Sequence, residues 1–159
     1  MPHIPIKGRA DSASLMIAHD SDALYRTFAD PGVLMSWLPP ENMTGRVLEY
    51  DFREGGRYRI ELTYDDTASA GVGKSSRRTD ITTGSFLALD AGKRIVQSVE
   101  FESADESFAG RMLMSWSFEA VPTGTLVTVT AEGVPPGISR EDHDAGLRSS
   151  LANLARCLG

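Results

Sequence analysis

The chain has 159 residues, 41% of them apolar and 24% charged, and a formal net charge of −6. That length suffices for one domain with a real hydrophobic core, and the composition excludes disorder. The acidic balance repels phosphate backbones and excludes nucleic acid as a partner, because the densest basic stretch, Lys74 to Arg78, is short and has no aromatic interleaved.

Cys157 is the only cysteine, so no intramolecular disulfide forms. No apolar run reaches the length of a signal sequence or a membrane span. The expectation is a soluble, cytoplasmic protein with no membrane partner. Residues 1–10 carry two prolines and read as a loose N-terminal arm, with 11–159 as one domain.

Ser12 to Ala18 ("SASLMIA") reads as a strand. Asp20 or Ser21 then caps a helix that puts Leu24 and Phe28 on one face. Asp30-Pro31 starts a second short helix carrying Leu34 and Trp37 or Leu38, and Pro39-Pro40 stop it. From Thr44 the period changes to two. "RVLEYDF" puts Leu48, Tyr50 and Phe52 on one face, and "RYRIELTY" alternates Tyr58, Ile60, Leu62 and Tyr64 with polar residues. Gly55 and Gly56 between them permit the positive φ of a tight hairpin. No helix follows these glycines to hold a phosphate.

Further strands are expected over Ile81 to Leu89, Arg94 to Glu102, Arg111 to Ala120 and Thr125 to Ala131. Ser139 caps a final helix of about 19 residues, about 28 Å long. It carries Leu147, Leu151, Leu154 and Leu158 as a stripe. The order is strand, two helices, six strands and one long helix, an α+β plan with helices on one face of an antiparallel sheet.

Three motifs in this order carry a family resemblance: "LMSWLPP" after the short helices, "DFREGGRYR" at Asp51 to Arg59, and "GTLVTVT" followed by "HDAGLRSSLANLARCL". On them the chain resembles the START-like helix-grip superfamily, and within it the family named for the heat-shock-protein-90 ATPase activator. The similarity runs from about Ser12 to Leu158. It implies a curved antiparallel sheet of six to seven strands wrapped around the C-terminal helix. Leu147 departs from the pattern, since the family often has Trp after the glycine at Gly146, and it makes that wall smaller.

The resemblance implies an apolar or aromatic small molecule held between sheet and helix, with no catalytic residue and no cofactor. Candidate lining residues are Tyr58, Ile60, Phe86, Val99, Phe101, Met112, Met114 and Trp116 from the strands. The helical segments add Phe28, Trp37, His143, Leu147 and Leu151. Each apolar one is equally a core residue, although Met suits a permissive pocket. One alternative is a co-chaperone-like module with a chaperone as partner; another is a polyketide-cyclase-like enzyme. His143 shares a helical face with Leu147 and is either a proton acceptor at a cavity mouth or a surface histidine among Glu141, Asp142 and Asp144. His3 and His19 lie far off, and no zinc-like spacing exists.

"ASAGVGKS" at Ala68 to Ser75 matches a relaxed P-loop spacing, but the polar and β-branched residues after it do not open a helix. It reads as a hairpin loop. Arg53, Arg57 and Arg59 with Glu49, Asp51 and Glu61 form outer-face charge pairs worth up to about 1 kcal/mol each, or Asp51 and Arg53 brace the hairpin. A monomer and a homodimer are both compatible with the sequence.

Overall fold

A computed structural model describes residues 8–65 and 79–158 of the chain. Strand β1 (Arg9–Ile17) is followed by helices α1 (Ser21–Arg26) and α2 (Pro31–Trp37). Strands β2 (Met43–Tyr50), β3 (Arg57–Tyr64), β4 (Thr79–Asp90), β5 (Arg94–Phe101), β6 (Met112–Val121) and β7 (Gly124–Val134) come next. A 3₁₀ turn at Glu106–Phe108 interrupts the strands, and α3 (Arg140–Cys157) ends the fold. The strands form one antiparallel sheet in the order β1-β7-β6-β5-β4-β3-β2. This is the α+β plan expected from the periodicities, in the helix-grip form that the family resemblance implies.

Each helix starts where a side-chain oxygen replaces a missing backbone acceptor. The Ala23 amide donates to Asp20 Oδ1 at 2.7 Å, the Gly32 amide to Asp30 Oδ1 at 2.8 Å, and the Asp142 amide to Ser139 Oγ at 3.1 Å. Pro31 sits in the first turn of α2, where its missing N–H costs nothing.

Four details depart from the sequence pattern. Strand β1 starts at Arg9, so Arg9 and Ala10 belong to the sheet, opposite Val134 and Glu132, and not to a loose arm. In β2 a bulge at Leu48 shifts the register between Val47 and Glu49. A bulge reverses which side chains face inward. Val47 and Tyr50 therefore pack on the core, while Leu48 is exposed. The β2–β3 connection is a six-residue loop, 51–56, in which only Gly55 has positive φ (+81°). Its end is stitched to β4 by bonds from the Gly55 amide to the Phe86 carbonyl and from the Phe86 amide to the Gly56 carbonyl. The Glu106–Phe108 turn has no counterpart among the expected elements. The P-loop-like stretch, the basic stretch and His3 lie outside the described residues.

Arg53 pairs with Asp51 inside the loop at 2.7 Å, bracing it. Arg59 pairs with Glu102 at 2.6 Å, a partner two strands away in the sheet order, and Arg46 pairs with Glu61.

The core lies between the inner face of the sheet and the helices. Phe28, Trp37 and Trp116 meet edge to face, with centroids 4.9 to 5.6 Å apart, each pair adding about 0.5–1.5 kcal/mol beyond its buried area. Helix α3 is tied to the end of α2 by side chains that fill orphan carbonyls there. Ser150 Oγ donates to the Leu38 carbonyl at 2.7 Å, and Asn153 Nδ2 donates to those of Trp37 and Pro39 at 3.1 and 3.0 Å. Asn153→Ala should therefore cost about 1–3 kcal/mol in urea unfolding. Arg148→Ala, which removes only an exposed pair with Asp144, should change stability by less than about 0.5 kcal/mol. Equal losses from the two variants would contradict this account of how α3 is held.

Candidate functional site

Helix α3 does not meet the sheet evenly along its length. Leu151 and Leu154, in its second half, are 1% and 0% exposed and belong to the solid core. In its first half only Leu147 joins that core, and space stays open beside it. A cavity of about 830 Å³ lies between residues 142–150 and the inner faces of β3 to β6, with the Pro40–Met43 and Gly137–Ser139 segments at its edges. Gly146 lies on its wall, and a Cβ added there would meet no atom within 4 Å.

The structure places Phe28, Tyr58, Ile60, Val99, Phe101, Met112, Met114, Trp116, His143 and Leu147 on the cavity wall. The other three candidates lie behind it. Trp37 is enclosed by the Phe28 and Trp116 rings, and Phe86 by those of Tyr50, Phe52 and Tyr58. Leu151 lies where α3 has already closed onto the core. Strand alternation put Phe86, and helical spacing Trp37 and Leu151, on inward faces, but depth behind such a face has no signature in a periodic pattern.

The sequence reading missed most of the polar lining. Asp80, Thr82 and Gln97 lie on the wall beside the apolar residues, as do Tyr50 and Tyr64. Gln97, alone and polar in the row Ile95, Gln97, Val99, Phe101, was the available signal. Tyr50 and Tyr58 are held as neutral donors. Tyr58 Oη donates to the Ser98 carbonyl at 2.6 Å, and burial pushes its pKa well up. That bond crosses β4 at Gly84, where any Cβ would stand 1.9 Å from the Ser98 oxygen. Tyr50 donates to the Phe28 carbonyl and is also pushed up by burial. Burial raises Tyr64 as well, and the Asp80 and Asp142 carboxylates add to the shift.

At the N-terminal end of α3, His143 Nδ1 lies 2.8 Å from Oδ2 of Asp11 on β1. Asp11 is only 4% exposed. A carboxylate this buried needs several donors. Arg9 supplies Nε and Nη2, each at 3.0 Å, and its Nη2 also donates to the Ile138 carbonyl at 2.6 Å. Arg140 Nε stands 3.8 Å from the other oxygen. Burial pushes the Asp11 carboxyl up, but hydrogen bonds from His143 and Arg9 outweigh it and hold the pKa below its ordinary 3.8. His143 is thus an anchored, largely buried residue. Its partner is 132 positions away and carries no local signal.

Among the described residues no group of three or more His, Cys, Asp or Glu could hold a metal ion, and no helix is long and apolar enough to cross a membrane. The sequence model described as "Activator of Hsp90 ATPase homolog 1-like protein" matches residues 18–159. The chain belongs to this family. Solved structures agree on the START-like fold. A protein from Chromobacterium violaceum superposes with a TM-score of 0.82 at 28% identity, covering 92% of this chain and 94% of that one. A protein from Arthrobacter aurescens gives 0.74 at 16% identity, with 94% and 85% covered. An AHSA1-like protein from Aeromonas hydrophila gives 0.66 at 19%, with 94% and 92% covered. No curated protein matches the chain.

The depressed Asp11 pKa has a pH signature. Its folded value lies below 3.8, so its contribution to stability is complete above that pH and is lost as pH falls through the lower folded value. Asp11→Asn should be less stable than the wild type by about 2 kcal/mol at pH 7. The gap should shrink below about pH 4. Unfolding midpoints of both proteins between pH 7 and pH 2 check this; a gap independent of pH would mean that the carboxylate charge contributes nothing.

Proposed function

We propose that this family member binds an apolar or aromatic small molecule in the cavity between the sheet and α3, without turning it over. The observation that carries this is a hollow of about 830 Å³ beneath a helix that is otherwise firmly packed. Pockets for small organic ligands run to about 300–1,000 Å³. The lining suits a permissive site. Met112 and Met114 adapt to different shapes, and the Trp116, Phe101 and Phe28 rings offer faces and edges for an aromatic guest. Tyr50 and Tyr58, whose hydroxyls are committed to backbone carbonyls and kept neutral, serve as wall and not as bases.

The family description supports a second reading, a module that docks on the heat-shock-protein-90 chaperone and stimulates its ATPase. Stimulation of a purified chaperone by this protein, unchanged when the cavity is filled by mutation, would favour docking over binding.

Thermal-shift and native mass spectrometry screens with apolar aromatic compounds test the first reading. Some of these compounds should raise Tm and appear as bound mass. Gly146→Phe, which projects a ring into the open space, should abolish both signals while the protein remains folded. Gly146→Ala should keep binding and add about 0.5–1 kcal/mol of stability, as an unstrained Gly-to-Ala change in a helix does. No stabilising compound, or binding indifferent to Gly146→Phe, would overturn the assignment.

A further inference from the structure

We infer that His143 Nε2 is the polar anchor of the cavity, accepting a hydrogen bond from a hydroxyl on an otherwise apolar, uncharged ligand. This rests on the binding reading above and adds the class of ligand. His143 is on the cavity wall, whereas Asp11, which holds its Nδ1 at 2.8 Å, is not. One ring nitrogen therefore faces the sheet edge at β1 and the other is left for the interior. An ionised carboxylate only accepts, so Nδ1 must carry the proton, and in neutral imidazole Nε2 then offers a lone pair. Among the described residues, Asp11 is the sole hydrogen-bond partner of the His143 side chain.

Asp11 is a positioning residue here. Its bonds to Arg9 keep it ionised, and its bond to His143 sets both the ring orientation and the tautomer. The described lining also selects against anions. Glu41 and Asp142 contribute carboxylates to it, and Asp142 adds to the burial that pushes the Tyr64 phenol up. A ligand carboxylate would enter that negative field, whereas a phenolic or alcoholic hydroxyl would not be repelled and could donate to His143.

Matched probes test this: 2-naphthol, which donates, 2-methoxynaphthalene, which cannot, and 2-naphthoate, which is charged. Calorimetry on the wild type should give naphthol binding about fivefold to tenfold tighter than the ether, the worth of one hydrogen bond. Naphthoate should be weakest. His143→Phe should bring the naphthol-to-ether ratio close to one, and His143→Gln, which restores an acceptor oxygen, should recover part of it. Nitrogen-15 spectra of the imidazole should show the Nδ1–H tautomer and an Nε2 resonance that moves with naphthol but not with the ether. Asp11→Asn should mix the tautomers and lower the ratio. Equal affinity of naphthol and ether, or an Nε2 signal unmoved by naphthol, would overturn the anchor and leave the binding reading standing. Failure of all three probes to bind or shift Tm would count against both.

Discussion

The long helix is fastened at two places, and between them a cavity separates it from the inner faces of β3 to β6. At one end His143 is bonded to Asp11, with Arg9 reaching from the same strand to the Ile138 carbonyl. At the other, Ser150 and Asn153 fill the carbonyls that close α2, and Leu151 and Leu154 enter the core. From residue 143 to residue 150 the helix rises about 10 Å. Over that span it lines the cavity with Ala145, Gly146, Leu147, Ser149 and Ser150, of which only Leu147 is large and joins the core, so the small side chains leave space against the curved sheet. The cavity follows from this spacing, and so does any function that depends on it.

Fastening the helix through a buried carboxylate has a physical cost. Asp11 gives up solvation and is compensated by donors from β1 and from α3. Removing one partner from such a cluster leaves charge stranded, which makes the cluster an all-or-none clamp. The other anchor uses neutral donors on part-buried carbonyls at the end of α2, where each bond is worth less but leaves no charge when broken. The two ends therefore respond differently to acid, and the one that weakens at low pH is the one beside the polar end of the cavity.

Much of the frame was legible in the sequence because the forces that set it act over a few residues. Asp20, Asp30 and Ser139 cap helices through amides two or three residues on. Tyr58 and Ile60 face inward because a strand alternates. The same logic failed at Leu48, where a bulge reverses parity and nothing in "RVLEYDF" announces it. It failed again at Phe86 and Leu151, which face inward as expected but are shut off from the hollow by other rings and by the closing helix.

From its own residues the chain determined the order of elements, their caps, the antiparallel α+β plan and the apolar face that the last helix must cover. Periodicity and capping are short-range and can be summed along the chain. Only the tertiary structure decided that this covering is incomplete, that Asp11 meets His143 across 132 positions, and that Gln97, Asp80 and Thr82 share the interior with methionines and aromatics. Those outcomes depend on the distance between a helix and a bent sheet, which is set by all the long-range contacts together and by no segment alone.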